Sequence, residues 1–215
     1  MDRNTIVNRI LIYIPLLLSL TVHEWAHAYS AYRLGDDTAQ KQGRLTLNPI
    51  PHIDLWGTLI LPLLGVPFGW AKPVPVDPSR FRRNVNPKTG MMITSAAGPL
   101  SNLSIALLCA VVFGLAFRFE ITPLLTGAPR HLLQTAIFMN IGLAIFNLLP
   151  IPPLDGSRVV EGFLPYRFRP AWEQFQRFSG IVLLAVIFLG TSLLAGPMNF
   201  VGDLIVRFIG LVAGR

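Results

Sequence analysis

Five consecutive residues, His23-Glu24-Trp25-Ala26-His27, form an H-E-x-x-H motif that could bind and use a metal ion. On an α-helix, residues four apart are separated by about 6 Å along the axis and about 40° around it, so both imidazoles can reach one ion. Glu24 lies beside His23 and can contact a water molecule at an open metal position. This arrangement is typical of zinc metalloproteases, in which zinc lowers the pKa of the water and a glutamate is the general base.

A catalytic zinc usually has three protein ligands and one open position, so a third ligand must come from elsewhere in the chain. Asp155 is the best candidate because it ends the segment Asn147-Leu-Leu-Pro-Ile-Pro-Pro-Leu-Asp155-Gly156, which closes a charge-free run. Its prolines break a helix, and non-helical backbone at membrane depth must lie inside the protein or line a cavity. The sequence predicts His23, His27 and Asp155 as metal ligands; the alternative is that Asp155 merely ends a helix in a loop.

Three other donors are weaker candidates for the third ligand. His52 suits an ordinary loop at least as well as the entrance of an active site, and Asp54 belongs to the same loop. His131 stands beside Arg130 in a predicted outer loop, where a surface position is expected. None of the three is included in the predicted ligand set.

The elements that position these residues are predicted to be membrane helices. Of the 215 residues, 52% are hydrophobic and 13% are charged, whereas a soluble domain carries about 25% charged residues. Asp203 and Arg207 also permit an interfacial helix near the carboxyl end. We expect an all-α polytopic membrane protein with a single domain over 1–215, core helices at about 7–32, 91–117 and 132–154, and accessory helices at about 178–194 and 198–212.

Residues 33–88, between the first two core helices, are rich in proline and contain eight basic residues. Residues 55–68 are apolar but too short for a full span, which suits a re-entrant or interfacial piece. In residues 71–76, valines and prolines alternate, which predicts an edge strand or a short hairpin. We therefore expect a small β-hairpin or re-entrant insertion here.

The distribution of lysine and arginine predicts an orientation, because cytoplasmic loops of membrane proteins carry an excess of basic residues. Residues 33–88 contain eight, residues 118–131 contain two and residues 155–177 contain four. The first and third loops are then cytoplasmic, and the amino terminus lies outside. The H-E-x-x-H motif and Asp155 fall on the same, cytoplasmic side of the membrane, where they can meet.

Two other interpretations of the composition are disfavoured. The net charge of +7 could indicate nucleic-acid binding, but the basic residues lie between apolar runs, as in membrane-protein loops. Arg3 and Arg9 precede an apolar stretch that ends in Ala26-His27-Ala28, which has the A-x-A form of a signal-peptide cleavage site. In a signal peptide, however, histidine and glutamate would lie immediately before the cut. The single Cys109 allows no disulfide within the chain.

Together these segments resemble the site-2 protease family of intramembrane zinc peptidases. The resemblance rests on HEWAH at 23–27, NLLPIPPLDG at 147–156 and the element Gly98-Pro99-Leu100-Ser101-Asn102, in family order. It implies a three-helix catalytic core, one zinc ion held by the three predicted ligands, and Glu24 as general base. It also implies a compact prokaryotic form without a PDZ or CBS domain, in the plasma membrane.

The resemblance further implies that Asn147 holds the substrate or the developing oxyanion, which a side-chain amide can stabilise. The residues alone leave Asn147 equally as a buried helix-packing residue. The expected partners are single-span membrane proteins as substrates, the lipid bilayer and a separate regulatory protein, with no nucleic acid. An extended substrate could add a strand beside residues 71–76.

Two rival functions remain open from the sequence. A prenyl-protein endopeptidase also carries H-E-x-x-H but usually takes its third ligand from a glutamate on another helix, and Glu161 and Glu173 both lie in the polar loop. A scaffold or transporter with a structural metal would normally close the site with four ligands, often cysteines. An open site with three ligands and a base favours the protease.

Overall fold

The computed structural model describes residues 3–64 and 69–214, which form an all-helical bundle. The α-helices are, in chain order, α1 (Arg3–Leu34), α2 (Thr38–Lys41), α3 (Leu61–Leu63), α4 (Pro87–Arg118), α5 (Thr122–Leu125), α6 (Gly127–Asn147), α7 (Asp155–Phe163) and α8 (Arg169–Val212). Short 3-10 helices lie at Ile50–His52, Pro78–Arg80 and Tyr166–Phe168, and a π-helix at Leu55–Ile60.

Helix α4 lies at the centre of the bundle and packs against α1, α6, α7 and α8. Its Ala106, Ala110 and Phe113 form the apolar core together with Ile137 and Ile141 of α6. Small side chains such as alanine let neighbouring helix backbones approach closely. The arrangement brings α1 and α7, which carry the predicted metal ligands, onto the same central helix.

The long helices expose apolar side chains and bury polar ones, the reverse of a soluble protein. Leu108, Ile181 and Phe188 are 64%, 70% and 81% exposed, whereas Asn102 and Asn140 are fully buried. In the part of the chain that the structure describes, two helices are long and apolar enough to cross a membrane, Pro87–Arg118 and Leu194–Val212. With buried polar groups facing the bundle interior, these features indicate a membrane protein.

The helix boundaries differ most from the sequence prediction in the third core helix and in the two accessory helices. The third core helix, predicted over 132–154, ends at Asn147, because Pro150, Pro152 and Pro153 cannot continue its hydrogen bonds. The two predicted accessory helices form one helix, Arg169–Val212, with Pro197 in its interior. A single proline removes one backbone hydrogen bond and does not have to end a helix that packing supports.

The predicted β-hairpin is wrong. Residues 71–76 are described and contain no strand, and two of their backbone N–H groups bond elsewhere. The Lys72 N–H donates to the His52 carbonyl at 2.9 Å, and the Val74 N–H donates to Glu24 Oε2 at 2.8 Å. Pro73 and Pro75 have no N–H, so the edge of the segment on which they lie lacks two donors of a regular ladder. Residues 65–68 of the proposed re-entrant piece lie outside the described ranges.

Candidate metal centre

The three predicted ligand side chains lie together where α1 meets the start of α7. His23 and His27 are one turn apart on α1, and their Nε2 atoms are 3.0 Å apart. Asp155, the first residue of α7, places Oδ2 3.1 Å from His23 Nε2 and Oδ1 3.3 Å from His27 Nε2. Their ligand atoms all lie within 4.8 Å of one another, so the group could hold a metal ion.

The hydrogen bonds of the two imidazoles show that this group suits a cation. His23 Nδ1 lies 2.7 Å from Asn102 Oδ1, and His27 Nδ1 lies 2.7 Å from the Thr94 carbonyl oxygen. Both partners are acceptors, so each neutral ring carries its proton on Nδ1 and keeps a lone pair on Nε2. Two ring lone pairs and a carboxylate thus converge in a buried space, which is unfavourable without a positive charge between them. Two histidines and a carboxylate are a donor set of catalytic zinc sites.

Helix α4, which faces the two imidazoles, has a glycine at the point of closest approach. A Cβ atom at Gly98 of α4 would lie 2.6 Å from His23 Nε2 and would also overlap His27 Nε2. Only glycine leaves room for both rings against α4. Gly156 has a similar role behind Asp155, because a Cβ there would overlap the carbonyl groups of Leu148 and Leu149. The glycines therefore permit the close approach that brings the donor atoms together.

Glu24, the predicted base, is buried beside this group, and its Oε2 accepts the Val74 N–H at 2.8 Å. The irregular segment that carries Val74 also bonds to Arg44, which donates to the Lys72 carbonyl. Burial lowers the pKa of the Arg44 guanidinium, whereas the nearby Glu24 carboxylate raises it. The segment is further anchored by the Asp77 N–H, which donates to Asp36 Oδ2 at 2.7 Å. Glu24 thus has a fixed partner on one oxygen.

A cavity of about 1420 Å³ opens onto the donor group. Its polar end contains His23, Glu24, His27, Asn147 and Asp155. Its walls are mostly apolar and include Leu16 and Leu20 of α1, Phe138 and Leu143 of α6, and Leu184 and Ile187 of α8. An apolar cavity with a few convergent polar groups at one end is the usual form of a substrate site.

Comparison with known proteins agrees with this geometry. The model of peptidase family M50 matches residues 118–190. "Putative zinc metalloprotease YwhC" of Bacillus subtilis (strain 168) is 39% identical over 203 residues, which cover 93% of this chain and 90% of that protein. The chain belongs to peptidase family M50. The predicted resemblance to site-2 proteases is thereby confirmed, and the M50 chain is a zinc metalloprotease.

More distant relatives of this M50 peptidase carry similar names. "Putative zinc metalloprotease Rip2" of Mycobacterium tuberculosis (strain ATCC 25618 / H37Rv) is 31% identical over 177 residues, 82% of this chain and 66% of that protein. "Zinc metalloprotease MJ0392" of Methanocaldococcus jannaschii is 26% identical over 157 residues, 73% of this chain and 35% of that protein. The chain therefore spans about two thirds and one third of these two relatives. No solved structure matches it.

The other candidate residues of the M50 peptidase lie in different settings. Asn147 lines the cavity, and its Nδ2 donates to the Leu143 carbonyl at 3.0 Å, which leaves its second N–H for another partner. His52 is buried and donates from Nε2 to the Thr46 carbonyl, so it supports the loop. Asp54 caps the π-helix, with Oδ1 accepting from two backbone N–H groups. His131 is exposed near the start of α6.

Sequence reasoning assigned no role to the polar residues that surround His23, although Asn102 belongs to the Gly98–Asn102 element. Asn102 of α4 contacts His23 Nδ1, and Asn102 Nδ2 donates to Asn140 Oδ1 of α6 at 2.8 Å. Asn140 Nδ2 in turn donates to Ser19 Oγ of α1 at 2.8 Å. The available signal was an asparagine in each of two apolar helices, since polar side chains at membrane depth usually face the bundle interior.

Proposed function

We propose that this M50 peptidase hydrolyses peptide bonds within or next to the transmembrane segments of single-span membrane proteins. The proposal is supported above all by a buried His-His-Asp group at the end of a long apolar cavity between α1, α6 and α8. A polar peptide would gain little binding free energy from these apolar walls. An apolar segment that enters from the bilayer would bury its side chains against them.

In the proposed reaction, His23, His27 and Asp155 hold one zinc ion and Glu24 is the general base. When bound, zinc supplies Lewis acidity and lowers the pKa of water. Glu24 accepts a proton from the attacking water and then gives it to the leaving amine as the peptide C–N bond breaks. The second N–H of Asn147 donates to the substrate carbonyl or the developing oxyanion, which stabilises the charge that forms there.

We propose that residues 70–75, in an extended conformation, guide the substrate past Glu24. Its even-numbered residues face the protein: Trp70, Lys72 and Val74 donate their N–H groups to Gly57 O, His52 O and Glu24 Oε2. In an extended chain the odd-numbered residues present the opposite edge. At positions 73 and 75 that edge has backbone carbonyl groups but no N–H groups. The backbone N–H groups of a substrate could therefore donate to these carbonyls.

Removing the Val74 N–H is expected to lower cleavage by at least about tenfold. Val74→Pro loses the donor to Glu24 Oε2 but keeps an extended backbone, and a hydrogen bond to a charged group is worth about 1.5–3 kcal/mol. Val74→Ala keeps the N–H and removes both methyl groups of valine, so it is the control for loss of the side-chain contacts. Initial cleavage rates of both variants should be measured on one substrate. Parental cleavage by Val74→Pro would contradict a role of this contact in positioning Glu24.

The expected setting is the plasma membrane of a prokaryote, with the metal centre toward the cytoplasm. The basic loops at 33–88 and 155–177 support this orientation under the positive-inside rule. Substrate selection would then depend on the membrane segment, on residues 55–76 or on a separate regulatory protein. Accessibility of single cysteines placed at Ser79 and at Glu120 to a membrane-impermeant reagent would test which loop is cytoplasmic.

The central test is metal removal from the purified protein in detergent. We expect about one zinc per chain, cleavage inside a membrane segment of at least one substrate from a panel of single-span proteins, loss of cleavage on chelation and recovery on adding zinc. Mass spectrometry of the products locates the cut. A parent that binds no zinc would refute the metal centre. Cleavage that survives complete removal of zinc would refute the proposed mechanism.

A further inference from the structure

We infer that Asn102 is a positioning residue for the metal centre, because its side-chain oxygen fixes the tautomer and orientation of His23. The inference rests on the proposed role of His23 as a metal ligand. Asn102 ends the element that begins with Gly98-Pro99, and the proposed reaction gives its side chain no chemical step. Its place in the fold nevertheless puts it in direct contact with the ring.

The contacts of Asn102 allow only one orientation of its amide. Oδ1 lies 2.7 Å from His23 Nδ1, and Nδ2 donates to Asn140 Oδ1 at 2.8 Å and to the Ser19 carbonyl at 3.4 Å. A reversed amide would set an NH₂ group against the ring N–H and an oxygen against the oxygen of Asn140. Both contacts are repulsive in a buried site.

The partner residues hold this orientation from the other side. Asn140 Nδ2 donates to Ser19 Oγ and to the Ala136 carbonyl, each at 2.8 Å, so Asn140 Oδ1 is left facing Asn102. Asn102, Asn140 and Ser19 are at most 2% exposed, and they come from α4, α6 and α1. Water therefore does not compete for these bonds, and the packing of three helices determines where the His23 ring points.

The two imidazoles differ in what orients them. His27 Nδ1 donates to the backbone carbonyl of Thr94, which no side-chain substitution removes. His23 depends on the side chain of Asn102. An acceptor on the outer ring nitrogen fixes the tautomer and raises the basicity of the nitrogen that binds metal, and loss of such a partner typically weakens metal binding about 10–100-fold.

The test compares metal binding by three variants with that of the parent. Asn102→Leu has the same branched shape but no acceptor. Asn102→Asp keeps an oxygen for His23 and sets its second oxygen against Asn140 Oδ1. Ser19→Ala removes the hydroxyl that accepts from Asn140 without touching the ring. Zinc affinity is measured by competition with a chromogenic chelator, and ligand geometry by the visible spectrum of the Co²⁺-substituted protein. Thermal unfolding of the metal-free proteins in detergent reports the fold.

We expect Asn102→Leu to weaken zinc binding about 10–100-fold and to change the cobalt spectrum, while Ser19→Ala stays within about threefold of the parent and Asn102→Asp, which keeps the acceptor for His23, loses clearly less affinity than Asn102→Leu. Parental affinity in folded Asn102→Leu would overturn the inference, as would equal losses in Asn102→Leu and Ser19→Ala. If Asn102→Leu does not fold, Asn102→Ser, whose hydroxyl is too short to reach the ring, takes its place with the same expectations. A parent without zinc would instead overturn the metal centre itself.

Discussion

Cleavage by a Glu24→Gln variant is expected to fall by at least about a hundredfold while its zinc content stays at the parental level. Glutamine has the size of glutamate, and its amide oxygen can still accept the Val74 N–H that Glu24 Oε2 accepts at 2.8 Å. It cannot accept a proton, so the attacking water loses its base. Because general acid–base catalysis typically contributes about 10²–10⁴-fold, the rate should drop by that factor.

Initial rates and bound zinc should be measured on the same preparations, because only the pair of values identifies the role of Glu24. Glu173→Gln makes the same chemical change at an exposed position near the start of α8 and should keep parental activity. Unchanged cleavage by Glu24→Gln would exclude Glu24 as the base. Loss of zinc from this variant would show that Glu24 acts through the metal site and not through the water.

The three metal ligands could be predicted from the sequence because the placement of each one depends mainly on nearby residues. Two histidines four residues apart on a helix must share a face, and the prolines before Asp155 must end the preceding helix. Both inferences need only the period of a helix and the chemistry of proline. The meeting of His23 and Asp155, separated by 132 positions, followed from the alternation of membrane spans.

The hydrogen bonds that hold the metal ligands in place could not be predicted from the sequence in the same way. Asn102 and Asn140 were recognisable as polar residues in apolar helices, but their partners depend on how α1, α4 and α6 rotate about their axes. Periodicity predicts the face of a helix that is buried, and it does not pair that face with a particular neighbour. The bonds to His23 and Ser19 therefore required the structure.

The wrong prediction of a hairpin has a comparable cause. Alternating valine and proline at residues 73–76 satisfies the local geometry of a strand, yet a strand exists only if another backbone pairs with it. Here the inner edge of the segment bonds to the His52 carbonyl and to a glutamate side chain. A sequence pattern contains no information about such long-range acceptors.

Gly98→Ala is expected to lower the zinc affinity by at least about a hundredfold, so that the variant binds no zinc under conditions in which the parent is saturated. This loss exceeds the loss that usually follows removal of a hydrogen-bond partner from a metal ligand. The added Cβ would lie 2.6 Å from His23 Nε2 and would also overlap His27 Nε2. These are the two ring atoms that must face the metal. One methyl group therefore displaces both histidine ligands, and cleavage should disappear with the metal.

The same substitution should leave the metal-free fold largely intact, which separates this prediction from a general loss of stability. Alanine is more favourable than glycine inside a helix by about 0.8–1.0 kcal/mol, which offsets part of the cost of turning the imidazoles toward the cavity and away from Asn102 and the Thr94 carbonyl. Gly180→Ala is the matched control, because its Cβ meets nothing within 4 Å on α8. Both variants should unfold near the parental temperature without metal, while only Gly98→Ala fails to take up zinc. Full zinc occupancy in Gly98→Ala would show that the imidazoles do not bind metal in the positions they occupy against α4.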